Sequence, residues 1–202
     1  ASDGTTLADT LAAAAAKAIK VIADDRLINA SPNVDFYVTV DNYKVGVQQA
    51  TGLLVGLGLM KADGSKGTAT GPFNVELFAG SLDDNNAHFF WNGAIDTLKP
   101  FMDAKTLVVK SGQTTIEKAA TLRWLQETAQ TRMDNLLTSA YHDGSKVSGV
   151  LSPYDGISRG IITALQNAGY TGSTFPIVTG QAAEIAAAKL SRDTVRLATL
   201  FT

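Results

Sequence analysis

Cysteine is absent from the 202 residues, and histidine occurs only twice, as His88 and His142. No disulfide framework or thiolate metal site can form, and two histidines without H-E-x-x-H spacing offer zinc no ordinary ligand set. Charge of one sign is equally sparse locally. The 17 basic and 19 acidic residues sum to −2 and nowhere build the long block that suits nucleic acid or an anionic membrane. No run of about 18 apolar residues is present to span a bilayer, and the N-terminus lacks the charged-then-apolar order of a signal peptide. A mature exported chain has the same features. A small neutral ligand fits this balance best, with no metal and no cofactor called for.

What is present is a core. Hydrophobic residues make up 45% of the chain, enough for one large domain or two small ones. Short β-branched or aromatic runs alternate with helical patterns from end to end, which predicts an α/β fold built on mainly parallel sheets. Strands are expected near 19–23, 35–40, 73–79, 105–110, 147–151 and 175–179, and helices near 5–18, 42–57, 84–98, 126–140, 156–168 and 181–189. Asp83 or Asp84 stands where a side-chain oxygen can cap the third of these helices. The Gly/Ser/Thr-rich stretch 61–72 reads as a flexible surface connection. Both ends look like the interior of a longer protein. "ASDGTTLAD" reads as a loop leaving a strand that is not there, and "TVRLATLFT" carries no helix stop signal.

In parallel sheets, ligands sit at the carboxyl ends of the strands, where loops open into helix N-termini. Asp25-Arg26, Asp41-Asn42, "SLDDNN" (81–86), Arg123-Trp124, Tyr154-Asp155 and Gln181 all fall beyond successive strands at that end. Carboxylates, amides and guanidinium groups engage hydroxyls as donors or acceptors, and an aromatic face covers C–H surface, so this inventory suits a sugar. Taken singly, each Asp or Asn also reads as a cap or turn former.

Other constellations fit less well. "GISRG" (156–160) matches a nucleophile elbow, but "SPYD" separates it from the strand, and both histidines precede Ser158. "DDNNAH" lacks the glycine and distal glutamate of a calcium loop, and "GLLVGLG" lacks the context of a dinucleotide or phosphate loop. Adjacent Asp83 and Asp84 are poorly placed to flank one glycosidic bond. No enzyme is expected.

The segments "IKVIADDRLINASPNVDFYVTVDNYKVGVQQA", "ELFAGSLDDNNAHFFWNGAIDTLKP", "LRWLQETAQTRMDNLL", "VLSPYDGIS" and "VTGQAAE" together resemble the periplasmic sugar-binding proteins of ABC transporters. The likeness is strongest to the xylose-binding and multiple-monosaccharide-binding branch and covers nearly the whole chain. It implies a clamshell of two α/β lobes closing on one sugar. On that pattern residues 1–41 end the first lobe, 42–190 form the second, and 191–202 begin the return crossing. The first lobe is then incomplete.

The resemblance also implies roles. Asp25 and Arg26 match a "DR" pair that contacts sugar hydroxyls and the ring oxygen. Asn85 or Asn86, with Asn86 preferred, matches an asparagine at the start of the "DNNA" helix. Trp124 matches a stacking tryptophan, and Asp155 the acid of a "YDG" or "NDA" loop, with Tyr154 beside it. Gln181 belongs to "GQAA", and Arg192 falls where a basic hinge residue is expected. Relatives usually read "GQDA", so Ala182 replaces a carboxylate. One lost charge-assisted hydrogen bond costs about 1.5 to 3 kcal/mol, which leaves a different ligand, compensation by Gln181, or an unassigned side chain at 182. The implied partners are a monosaccharide and an ABC transporter permease, with a monomeric receptor in the periplasm, or tethered outside a Gram-positive cell. The rival reading is the sugar-sensing domain of a LacI-type transcription regulator.

Overall fold

A computed structural model describes residues 6–29 and 31–181, and the backbone of 196–200. Helix α1 (Ala8–Ala16) leads into two short parallel strands, β1 (Ile22–Asp24) and β2 (Phe36–Val38), registered Ile22 to Phe36 and Asp24 to Val38. These strands form a separate two-stranded sheet. Two strands alone bury little: Ile22, Phe36 and Val38 are each more than half exposed.

Helix α2 (Asn42–Gly56) then begins, capped by Asp41, whose carboxylate accepts from the Lys44 amide at 3.0 Å. It leads into a five-stranded parallel sheet through β3 (Phe73–Leu77), α3 (Asn85–Asp103), β4 (Leu107–Val109), the short α4 (Ile116–Ala119), a 3-10 turn at Leu122–Trp124 and α5 (Gln126–Ala140). Next come β5 (Gly149–Leu151), α6 (Asp155–Asn167), a turn at Gly172–Thr174, β6 (Ile177–Gln181) and β7 (Arg196–Leu200). The strand order is β4-β3-β5-β6-β7, with every pairing parallel.

Alternation along the strands sorts their side chains into two cores. Val75, Leu77, Leu151 and Ile177 pack under α2 and α3 with Leu53, Leu54, Trp91 and Leu98. Val150 and Val178 face the other way, into Ile157, Ile161, Leu165, Met133 and Leu136 of α5 and α6. Each such aliphatic side chain contributes about 1.5 to 3 kcal/mol by leaving water. Glycine sets the helix spacing: a Cβ on Gly46 would lie 2.0 Å from the Phe90 carbonyl oxygen, and one on Gly93 2.1 Å from that of Tyr43, so α2 and α3 touch backbone to backbone.

One polar residue interrupts the second core. Glu76, between Val75 and Leu77, is fully buried. It accepts from the Ser111 amide (3.1 Å), the Ser111 hydroxyl (2.6 Å) and the Tyr141 hydroxyl (2.8 Å). Burial, and then the Glu76 charge, push the Tyr141 hydroxyl far up, so it remains a donor. Burial lowers Arg132 to about 10 against the opposing pull of Glu76, leaving the guanidinium charged at neutral pH. It donates to the Leu77 carbonyl at 2.9 Å and to Gln113 at 2.7 Å, tying α5 to the sheet.

The first strand, expected near 19–23, falls at Ile22–Asp24, α4 has no counterpart in the sequence expectations, and three further departures follow. The third helix runs past Pro100 to Asp103, because Phe101 and Met102 still pack on the core and offset the missing N–H. The stretch 61–72 is an internally bonded turn rather than a slack connection: Lys61 N–H bonds Ser65 O at 2.8 Å, Asp63 accepts from the Ser65 amide at 2.9 Å, and Met60 bridges Lys66. Gln181, expected to open a helix, instead ends β6. The rest of that expected helix, with Ala182 and Arg192, lies outside the described residues.

Candidate functional site

The sheet order creates the site. From β3 the chain moves one way to β4, then returns across β3 to β5 and continues to β6. Because parallel crossovers are right-handed, connections running in opposite directions cover opposite faces, so the loops after β3 and β5 diverge and leave a crevice between them. A cavity of about 320 Å³ occupies this place, near the lower end of the usual range for small-ligand pockets. Asp84, Asn86 and Phe90 reach it from the β3–α3 connection, and Pro153 and Tyr154 from the β5–α6 loop. Gln181 comes from the end of β6, Arg123 and Trp124 from the 3-10 turn, and Asp25 and Arg26 from the loop after β1.

Trp124 arrives through a detour. Residues 119–121 lie beside 79–80, with the Ala79 amide bonded to Ala119 O at 2.8 Å and the Thr121 amide to Gly80 O at 3.2 Å. Arg123 and Trp124 then take left-handed backbone angles, φ 55° and 58°. Such angles are unfavourable for these residue types and persist where surroundings hold them. Here the Arg123 amide donates to Ser81 Oγ at 2.8 Å and the Trp124 amide to Thr121 O at 3.0 Å. The indole lies over Gly80, where a Cβ would come 2.1 Å from the ring. Phe90 and Tyr154 meet it edge to face, at centroid distances of 6.3 and 6.1 Å.

Asp84 ties the walls together. Its Oδ1 accepts from the Asn86 amide at 3.0 Å, capping α3. Its Oδ2 accepts from the indole N–H of Trp124 at 3.1 Å and forms an ion pair with Arg26, 3.0 Å from Nε. Arg26 follows the two-stranded sheet and Asp84 follows β3, so this ion pair joins the two sheets' loops across the cavity. Asn86 makes a second tie, donating from Nδ2 to the Asp25 carbonyl at 3.1 Å and the Asp25 carboxylate at 3.3 Å. Asp25 itself has φ 63°, a value that Asp tolerates better than most residues.

The structure thus brings Asp25, Arg26, Asn86, Trp124, Tyr154 and Gln181 to one cavity. Asn85 is half-buried and does not line it, and Asp155, the first residue of α6, is buried and also outside the lining. Of the acid pair at 83 and 84, Asp83 bonds the Ser81 hydroxyl while Asp84 enters the cavity, so the two carboxylates serve different partners. Ser158 is buried in α6 with its hydroxyl on the Thr179 carbonyl at 2.7 Å, a structural serine.

Two contributors were missed by sequence reasoning. Asp84 was counted in the polar stretch 81–86 but assigned to a cap or loop, and nothing local reveals that its other oxygen meets an indole forty positions away. Gln49 is buried in α2 and donates to Pro153 O and Gln181 Oε1, both at 3.1 Å, holding the β5–α6 loop against the end of β6. It did carry a signal: a polar residue four positions from Val45 and from Leu53, on the apolar stripe.

A larger groove of about 620 Å³ runs beside α5 and is lined by residues such as Gln113, Lys118 and Arg132, but no aromatic side chain lines it. The cavity under Trp124 combines carboxylate, guanidinium and amide groups with an indole face. Fold and lining together place a polar, aromatic-walled cavity at the carboxyl ends of parallel strands.

Residues 1–199 match the periplasmic binding protein domain family, and the chain belongs to it. It is 57% identical over 189 residues to the multiple sugar-binding periplasmic receptor ChvE of Rhizobium radiobacter, covering 93% of this chain and 51% of that protein. It is 33% identical over 187 residues to the D-xylose-binding periplasmic protein of Escherichia coli K12, covering 93% of this chain and 49% of that one. The crystal structure of an ABC transporter solute-binding protein from Clostridium phytofermentans with bound β-D-glucose superposes with a TM-score of 0.81 at 47% identity, covering 93% of this chain and 55% of that one. The chain spans about half the length of the curated relatives it matches.

Proposed function

We propose that the protein carrying this chain is the substrate-binding component of an ABC-type sugar importer. It takes one monosaccharide of the glucose, galactose, xylose or arabinose type into the cavity beneath Trp124. The observation that carries this reading is the cavity itself: Asp25 and Arg26 from one sheet face Asp84 and Asn86 from the other, under an aromatic face. Carboxylate and guanidinium groups bind hydroxyls with charge-assisted hydrogen bonds, and the indole covers the sugar's C–H face. In this reading residues 1–41 end one lobe, 42–190 form the second and 191–202 begin the return. The exposed apolar side chains of β1 and β2 fit a lobe whose other strands lie elsewhere in a longer chain. Sugar contacts from both lobes favour the closed form, which the membrane permease recognises. The receptor works as a monomer in the periplasm or tethered outside the cell, without catalysis and without nucleic acid. The transport relatives support this over a transcription regulator.

Titration calorimetry of the intact protein with D-glucose, D-galactose, D-xylose and L-arabinose tests the reading. Saturable one-to-one binding of at least one is expected. Absence of heat with all four at millimolar concentration would overturn it.

A further inference from the structure

Asn42, the first residue of α2, is buried where the chain passes from the two-stranded sheet to the larger one. Its amide nitrogen donates to Thr39 Oγ1 at 3.2 Å and to Asn86 Oδ1 at 3.0 Å. The Thr39 hydroxyl donates in turn to the Asp25 carbonyl at 3.2 Å, and Asn86 Nδ2 donates to the same carbonyl at 3.1 Å. The four residues therefore close a hydrogen-bonded ring around Asp25, which Tyr37 joins with its hydroxyl at 3.0 Å.

The direction of this ring is fixed by its chemistry. Both N–H groups of the Asn42 amide have acceptors, while its Oδ1 is buried without a hydrogen bond. An unmade buried acceptor is unfavourable, and a side chain serving stability alone would gain by satisfying it. What the arrangement secures is the orientation of Asn86. With Oδ1 occupied by Asn42, the amide presents its nitrogen to the Asp25 carbonyl and carboxylate at the cavity wall.

We propose that Asn42 is a positioning residue for ligand binding. It sets the Asn86 amide with its donors toward Asp25, and so couples the segment between the two sheets to the state of the cavity. The proposal rests on the sugar-binding reading above, since its effect is read through the ligand.

The test uses the intact protein and whichever of the four sugars its parent form binds most tightly. Asn42→Ala should weaken binding at least fivefold, and Asn42→Asp, which is isosteric but places acceptors against Asn86 Oδ1, should weaken it more. In the background of Asn86→Ala, Asn42→Ala should change affinity less than twofold, because its effect travels through Asn86. The sugar-free melting temperature is measured alongside. A lower melting temperature with affinity unchanged within twofold would mean a structural role only and overturn the proposal. So would a full affinity loss that persists in the Asn86→Ala background. If the parent binds none of the sugars, the proposed function falls and this role with it, whereas a binding parent with equally binding variants removes this role alone.

Discussion

Asp84 accepts from the backbone of its own helix and from an indole, and it pairs with a guanidinium. Its side chain is almost wholly buried while that of Arg26 is about one-third exposed, so solvent screens the pair from one side. Asp84→Asn keeps the shape but removes the charge, and it can turn a donor toward Arg26 or Trp124. Hydrogen bonds to charged groups are worth about 1.5 to 3 kcal/mol, so sugar affinity should fall roughly ten- to a hundredfold by calorimetry. The melting temperature without sugar should move less in proportion. Residue types were legible in the sequence where strand ends collect polar groups, as with Asp25-Arg26 and Tyr154. Choosing between neighbours was another matter. Asn85 and Asn86 differ by one helical step of about 100°, and only the packing of α3 turns Asn86 toward the cavity.

Elements carry the site through contact distances that only glycine permits. Gly80 ends the extended run after β3, and the Trp124 ring occupies the volume of its absent side chain. Gly80→Ala should push the indole off Asp84 and leave both sheets intact. The expected outcome is a weaker sugar complex, by tenfold or more, with a changed intrinsic tryptophan emission and a far-ultraviolet dichroism like the parent's. Unchanged affinity would show that Trp124 is not the ring that covers the ligand. Helix periods foretold α2, α5 and α6 within a residue or two, because each carries an apolar stripe, and of the three α2 alone opens on a side-chain cap, from Asp41. The detour of 119–124 along β3 had no such signature. It is held by backbone hydrogen bonds to residues 79 and 80, and a backbone contact leaves little trace in side-chain pattern.

At the scale of the molecule, the parallel α/β class followed from simple alternation, but the strand order did not, since nothing local says that the chain returns across β3. That reversal opens the crevice, and the Arg26–Asp84 and Asp25–Asn86 contacts span it from the other sheet. A ligand that engages both sides raises the population of the closed arrangement. Small-angle scattering of the intact protein should therefore give a smaller radius of gyration at saturating sugar than without it. Equal radii would separate binding from closure.

The bonded turn within 61–72 has a practical consequence. It leads into the first residue of β3, whereas the cavity lies beyond the last residues of the same strand, so turn and cavity occupy opposite ends of the sheet. Ala62 is exposed there, and these 202 residues contain no cysteine. Ala62→Cys would give this stretch a single thiol through which the receptor could be anchored to a sensor surface, with its mouth turned to the solution.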